Sequence, residues 1–137
     1  MDVIVLIGRI LFVVLFLGSG VGHLTQSQQM VPFAEARGVP LAKLAVPASG
    51  LLLLAGGLSV LLGIWADLGS LLLIAFLLPT TFLMHKFWTE TDAQAKQAEM
   101  VSFNKNISLT GAALALFAFF AHTPELGLTI TGPLFSL

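Results

Sequence analysis

The chain has 137 residues, 57% of them apolar and 9% charged, with a formal charge of -1 and neither cysteine nor tyrosine. Soluble domains carry about 25% charged residues, so water is not its main solvent, and at roughly 20 residues per span the length suffices for one bundle of membrane helices. The charge excludes a phosphate-binding surface and hence nucleic acid, and the missing cysteine excludes thiolate nucleophiles, iron–sulfur clusters and zinc–thiolate sites.

The first predicted element spans about residues 3–23, apolar except for Arg9, with Gly18-Ser19-Gly20 and His23 at its end. No basic residue precedes the apolar run and Arg9 interrupts it, so it reads as a span and not as a cleaved leader. In the following connection Pro32 opens a short helical pattern through Phe33 and Ala36 that Gly38 stops, which suits a helix lying along the interface. A second span covers about residues 44–64, with Pro40 and Pro47 at its entrance. Asp67 can cap the third, about residues 68–87, in which Pro79 frees the carbonyl of Ala75 and predicts a kink. Glu90, Asp92, Lys96 and Glu99 then recur at the spacing of a solvated helix. A fourth span covers about residues 103–121, followed by a tail, residues 122–137. Trp65 and Trp88 fit the membrane–water interface.

The expected fold is therefore all-α: a single-domain four-helix transmembrane bundle with a short interfacial helix between its first and second spans. Arg37, Lys43, Lys86, Lys96 and Lys105 fall on the two long connections and only Arg9 on the other side, which predicts a multi-pass plasma-membrane protein with both termini on one side, the extracytoplasmic one.

Small residues mark the packing faces. Ala55, Ser59 and Gly63 recur every four residues beside Gly56 and Gly57, with Leu53 toward lipid, and on the fourth span Asn104, Ser108, Gly111, Ala115 and His122 form a stripe expected to face the bundle. Such stripes suit a homo-oligomer as readily as packing within one protomer. Ionisable groups inside a membrane are costly and need partners. Arg9 shares a face with Phe16, Gly20 and His23, and the carboxylates on its side are Asp67 and Glu125, which predicts a structural ion pair. On the opposite side His23, Thr81, His85, Asn104, Lys105 and Asn106 arrive at similar depth and can form one polar pocket for a ligand carbonyl. Two histidines near a membrane edge do not suit a haem, and no set of metal ligands, nucleophilic triad or nucleotide fingerprint is present.

Gly8-Arg9, Gly18-Ser19-Gly20 with His23, Phe33 to Pro40, Gly56-Gly57-Leu58 with Gly63, His85-Lys86-Phe87-Trp88 and Phe103-Asn104-Lys105-Asn106 before Gly111 together resemble the DoxX family, over nearly the whole chain up to about Ala121. The resemblance implies a prokaryotic inner-membrane protein of four helices. Some relatives are membrane subunits of thiosulfate- or quinol-linked oxidoreductases, another is associated with an oxidative-stress complex, and distant ones act as cargo receptors or assembly chaperones.

Two expectations follow. In one, the chain is an accessory membrane subunit of a quinone-linked oxidoreductase system, binding quinone or quinol in the polar pocket and catalytic only within a redox complex. In the other it is a non-catalytic scaffold or assembly chaperone, docking a membrane partner through Phe33, Glu35 and Arg37.

Overall fold

A computed structural model describes all 137 residues. Five α-helices and no strand follow in order: α1 (Asp2–Thr25), α2 (Ser27–Ala36), α3 (Ala42–Leu62), α4 (Ala66–Met84) and α5 (Ala93–His122), with a 3-10 turn at Phe87–Thr89. Three segments are long and apolar enough to cross a membrane: Asp2–Thr25, Ala42–Leu62 and Ala66–Thr89. Helix α5 is different. Its 30 residues reach about 45 Å at 1.5 Å per residue, but the part beyond Lys105 and Asn106 runs only from residue 107 to 121, about 22 Å against a hydrocarbon core of about 30 Å.

The boundaries depart from expectation where local chemistry outweighs hydropathy. Helix α5 begins at Ala93, ahead of residue 103, because the Asp92 carboxylate accepts the Ala95 N–H at 2.9 Å and no Gly or Pro lies between there and residue 103. The solvated helix read from the charge pattern and the fourth apolar segment are thus one rod. Helix α2 starts at Ser27 and carries Pro32 within it. Helix α4 stops at Met84 and runs through Pro79.

Packing follows a row: α1 lies on α3, α3 on α4 and α4 on α5, with α2 folded against the start of α3. No α1–α5 pairing of comparable extent closes the row. Its core is Val13 and Phe16 of α1, Leu53 and Val60 of α3, Leu73 of α4 and Phe120 of α5. Leu53, expected toward lipid, is fully buried, because the contact face of α3 is the side of Gly50, Leu53, Gly57 and Val60, while Ala55 points outward. Lipid is as apolar as leucine, so close van der Waals approach has to hold membrane helices together. Gly56 supplies it against α4: a Cβ there would meet Leu73 Cγ at 3.0 Å and the Gly69 carbonyl oxygen at 3.1 Å. Gly20 and Gly50 do the same between α1 and α3.

The stripe expected to turn α5 inward faces out. Asn104, Ser108, Gly111, Ala115 and His122 are exposed, and the buried line is Asn106, Ala113 and Phe120, seven residues apart.

Gly56→Leu is expected to lower thermal stability in detergent by about 1–3 kcal/mol, the usual range for overpacking. Ala55→Leu, adding similar bulk on the outward side, should leave it unchanged; equal losses in differential scanning fluorimetry would contradict the α3–α4 contact.

Candidate functional site

Polar groups gather at two ends of the bundle, and their chemistry differs. At one end Arg9, 1% exposed, donates from Nε to the Val60 carbonyl at 2.9 Å, from Nη2 to the Leu61 carbonyl at 2.6 Å and from Nη1 to the Leu128 carbonyl at 2.8 Å. Val60 and Leu61 belong to the last turn of α3, whose carbonyls have no helical donor. The expected ion pair is therefore absent. Arg9 takes the orphan oxygens of a helix C-terminus, where the dipole also favours a cation, in place of the carboxylates of Asp67 and Glu125. Fully buried Asp67 is occupied instead by the N–H groups of Leu134 and Phe135, at 2.9 and 2.6 Å, and Glu125 is exposed. The Ile130 and Thr131 N–H groups cover the carbonyls of Leu62 and Gly63. With each of the three guanidinium nitrogens bonded to a backbone carbonyl, this end is a structural clamp.

At the other end the helices part around a cavity of about 880 Å³, lined mostly by apolar side chains from all five helices. Of the six predicted pocket residues, His23, His85, Lys105 and Asn106 line it. Thr81 does not: it is fully buried and its hydroxyl donates to the Leu77 carbonyl of its own helix, while the neighbouring Thr80 faces the cavity. Asn104 does not either. It lies two residues, about 200°, from Asn106, so one helix cannot turn both inward. Asn106 is 6% exposed, and its carboxamide has no hydrogen-bond partner in the protein. None of its polar atoms is sealed off without a partner, so the carboxamide opens onto the cavity, where it is free to pair with a ligand or with water.

Both imidazoles are held through Nδ1. His23 Nδ1 lies 2.7 Å from the Ser49 hydroxyl, and its ring meets the Phe76 ring edge-on with centroids 5.7 Å apart. His85 Nδ1 lies 2.9 Å from Glu99 Oε2. Each ring thus keeps Nε2 for the cavity. Ser49, Ser19, Gln29 and Thr80 also line the space and were not singled out from the sequence. Their one signal is position: Ser49 stands two residues after Pro47, in the first turns of α3.

Comparison with known proteins identifies the family. The DoxX family model matches residues 4–86, more than half of the chain. The chain belongs to the DoxX family. Among curated relatives, it is 34% identical to inner membrane protein YqjF of Escherichia coli K12, over 84% of this chain and 82% of that protein. It is 28% identical to inner membrane protein YphA of the same organism, over 83% and 81%. No solved structure matches. The DoxX match contains Arg9, His23, Ser49 and His85, hence both ends of the bundle, and stops short of Asn106.

In this DoxX chain charges tie together the elements at the edge of the cavity. Arg37, just past α2, meets Glu90 at 3.2 Å and Glu99 at 3.5 Å, and stacks over Phe33 at 5.4 Å. Glu99 bridges Arg37 and His85 with its two oxygens. Arg37, expected to dock a partner, is therefore spent inside the protein, because the long α5 brings Glu99 under it; Phe33 and Glu35 remain exposed. The aromatic groups around the histidine also pack together: Phe103 sits against Phe82, Phe87 and Trp88 with centroids 5.4, 5.3 and 6.0 Å away, fixing the 3-10 turn on α5.

Hydrogen bonds to a charged group are worth roughly 1.5–3 kcal/mol each. Arg9→Ala is expected to lower the melting temperature far more than Val14→Ala, a change on the outward face of α1, and to expose residues beyond 123 to protease. A tail still protected in Arg9→Ala would show that the clamp is not needed to hold it.

Proposed function

We propose that this chain is an inner-membrane protein of four spans, with α5 the fourth, whose cavity holds a quinone or quinol for a partner oxidoreductase. The observation that carries the reading is Asn106: on a residue nine-tenths buried, a carboxamide with no protein partner opens onto a mostly apolar cavity that two oriented imidazoles also line. About 880 Å³ lies within the usual range of ligand sites, roughly 300–1,000 Å³. It suits a ring with polar oxygens on an isoprenoid tail: apolar walls for the tail, and His23, His85 and Asn106 for the oxygens. A bound quinone would supply two-electron chemistry that side chains without cysteine or tyrosine lack. The chain's own part is to bind the ring, orient its oxygens and keep water away from them.

The printed names of both relatives support placement in the inner membrane. A fourth span is supported by the packing of α5 along α4. The tail's return to Arg9 supports placing both termini at one end of the bundle, and the excess of bases on the long connections supports an extracytoplasmic side for that end. Reporters fused at Met1 and Leu137 are both expected to signal from outside the cytoplasm; opposite signals would rule out an even number of spans.

Mass spectrometry of lipids co-purified in mild detergent tests the ligand. Quinone is expected to be retained by the parent chain and by Asn104→Ala. Asn106→Ala should bind it about 5- to 150-fold more weakly, the equivalent of about 1–3 kcal/mol for a ligand oxygen left unpaired. A stoichiometric membrane partner with no quinone would favour the scaffold reading instead.

A further inference from the structure

We infer that Ser49 fixes the hydrogen-bonding polarity of the cavity, so that the site takes its ligand through a hydroxyl and prefers the quinol to the quinone. The inference rests on the reading of the cavity as a quinone/quinol site and adds which redox form it selects.

The Ser49 hydroxyl lies 2.6 Å from the carbonyl oxygen of Val46, three residues earlier in the same helix. A carbonyl oxygen only accepts, so a contact this short requires the serine to donate, and its single O–H is thereby spent. The same oxygen lies 2.7 Å from His23 Nδ1. Having no proton left to give, it can only accept, and Nδ1 must carry the hydrogen. In a neutral imidazole that fixes the other nitrogen: Nε2 holds a lone pair and accepts. The edge-on Phe76 ring keeps the imidazole plane in place.

The rest of the site leaves the choice to His23. Asn106 offers both a donor and an acceptor and discriminates little. His85 gives Nδ1–H to Glu99, a carboxylate that Arg37 also holds, so its neutral ring likewise presents an accepting Nε2. Lys105 is exposed, with its stem along the cavity, and its ammonium can reach water. A quinone oxygen is only an acceptor, and facing an accepting Nε2 it gains nothing and is repelled. A quinol oxygen donates its O–H to that nitrogen. The Val46–Ser49–His23 chain therefore acts as a polarity filter, with Ser49 its positioning residue.

Two measurements test this. In detergent-solubilised protein with ¹⁵N-labelled histidine, at about pH 8 where an ordinary imidazole is neutral, His23 is expected as the Nδ1–H tautomer; an Nε2–H tautomer overturns the inference. Equilibrium binding is then measured anaerobically with a short-chain benzoquinol and with its benzoquinone. The quinol is expected to bind roughly 5- to 10-fold tighter, the worth of one neutral hydrogen bond. Ser49→Ala should abolish that preference and release the tautomer, and Ser49→Thr, which keeps the hydroxyl, should restore both. Equal binding of the two forms to the parent chain overturns the polarity filter and leaves the quinone-site reading standing. Binding of neither form overturns both.

Discussion

A helix that ends inside a membrane protein leaves carbonyl oxygens that no water can reach, and the arrangement of this molecule depends on how one such end, that of α3, is satisfied. Arg9 reaches across from α1 to two of its oxygens, and the backbone beyond α5 supplies N–H donors for the next two. One cation thereby registers α1 against α3 and the tail against both. This explains why a charged group is kept about 10 Å into an apolar helix: replacing it with leucine would leave oxygens without donors, a worse outcome in hydrocarbon than burying a guanidinium whose three nitrogens each have a carbonyl partner.

With one end locked, the other can stay open. Glycine contacts draw α3 to α1 and to α4, but no comparable contact draws α1 to α5, and the space between them widens into the cavity. Two kinds of restraint keep it in shape. Hydrogen bonds to Nδ1 orient the imidazoles, and the Arg37–Glu99–His85 chain ties α2 and α5 to the end of α4. Exposed ion pairs contribute little by themselves; this one gains from Glu99 serving two partners at once and from sitting half-buried against Phe33.

Much of this was legible in the sequence, and the parts that were not have two causes. Hydropathy located the apolar helices, and 100° spacing put Arg9, Phe16 and Gly20 on one buried face, as found. Spacing also brought His23 and His85 to one depth. Rotation of α5 was not legible, because its apolar segment is nearly uniform around the axis and the polar residues at its start point in several directions; a stripe built on Asn104 turns the helix by about 200° from the one that buries Asn106. Leu53 was misplaced for the same reason: in α3 nearly every position is apolar or small, so no moment marks the inner side. The tail was illegible for a different reason. Its role lies in backbone N–H and C=O groups, which every sequence has, so Asp67 and Arg9 found partners that no side-chain pattern advertises.

The separation of Arg9 from Leu128 along the chain, 119 positions, bears on biogenesis. During synthesis α1 is made first and enters the bilayer with a guanidinium whose final acceptors lie about 50 and then about 120 residues further on. Until α3 is in place, that group has to stay near headgroups or water, and the last of its bonds closes only when the segment after α5 has left the ribosome. Such non-local closure is slow compared with forming a helix. Insertion and folding are thus separated in time, and the open interval between them is when a foldase or a neighbouring subunit has access to the uncapped end of α3.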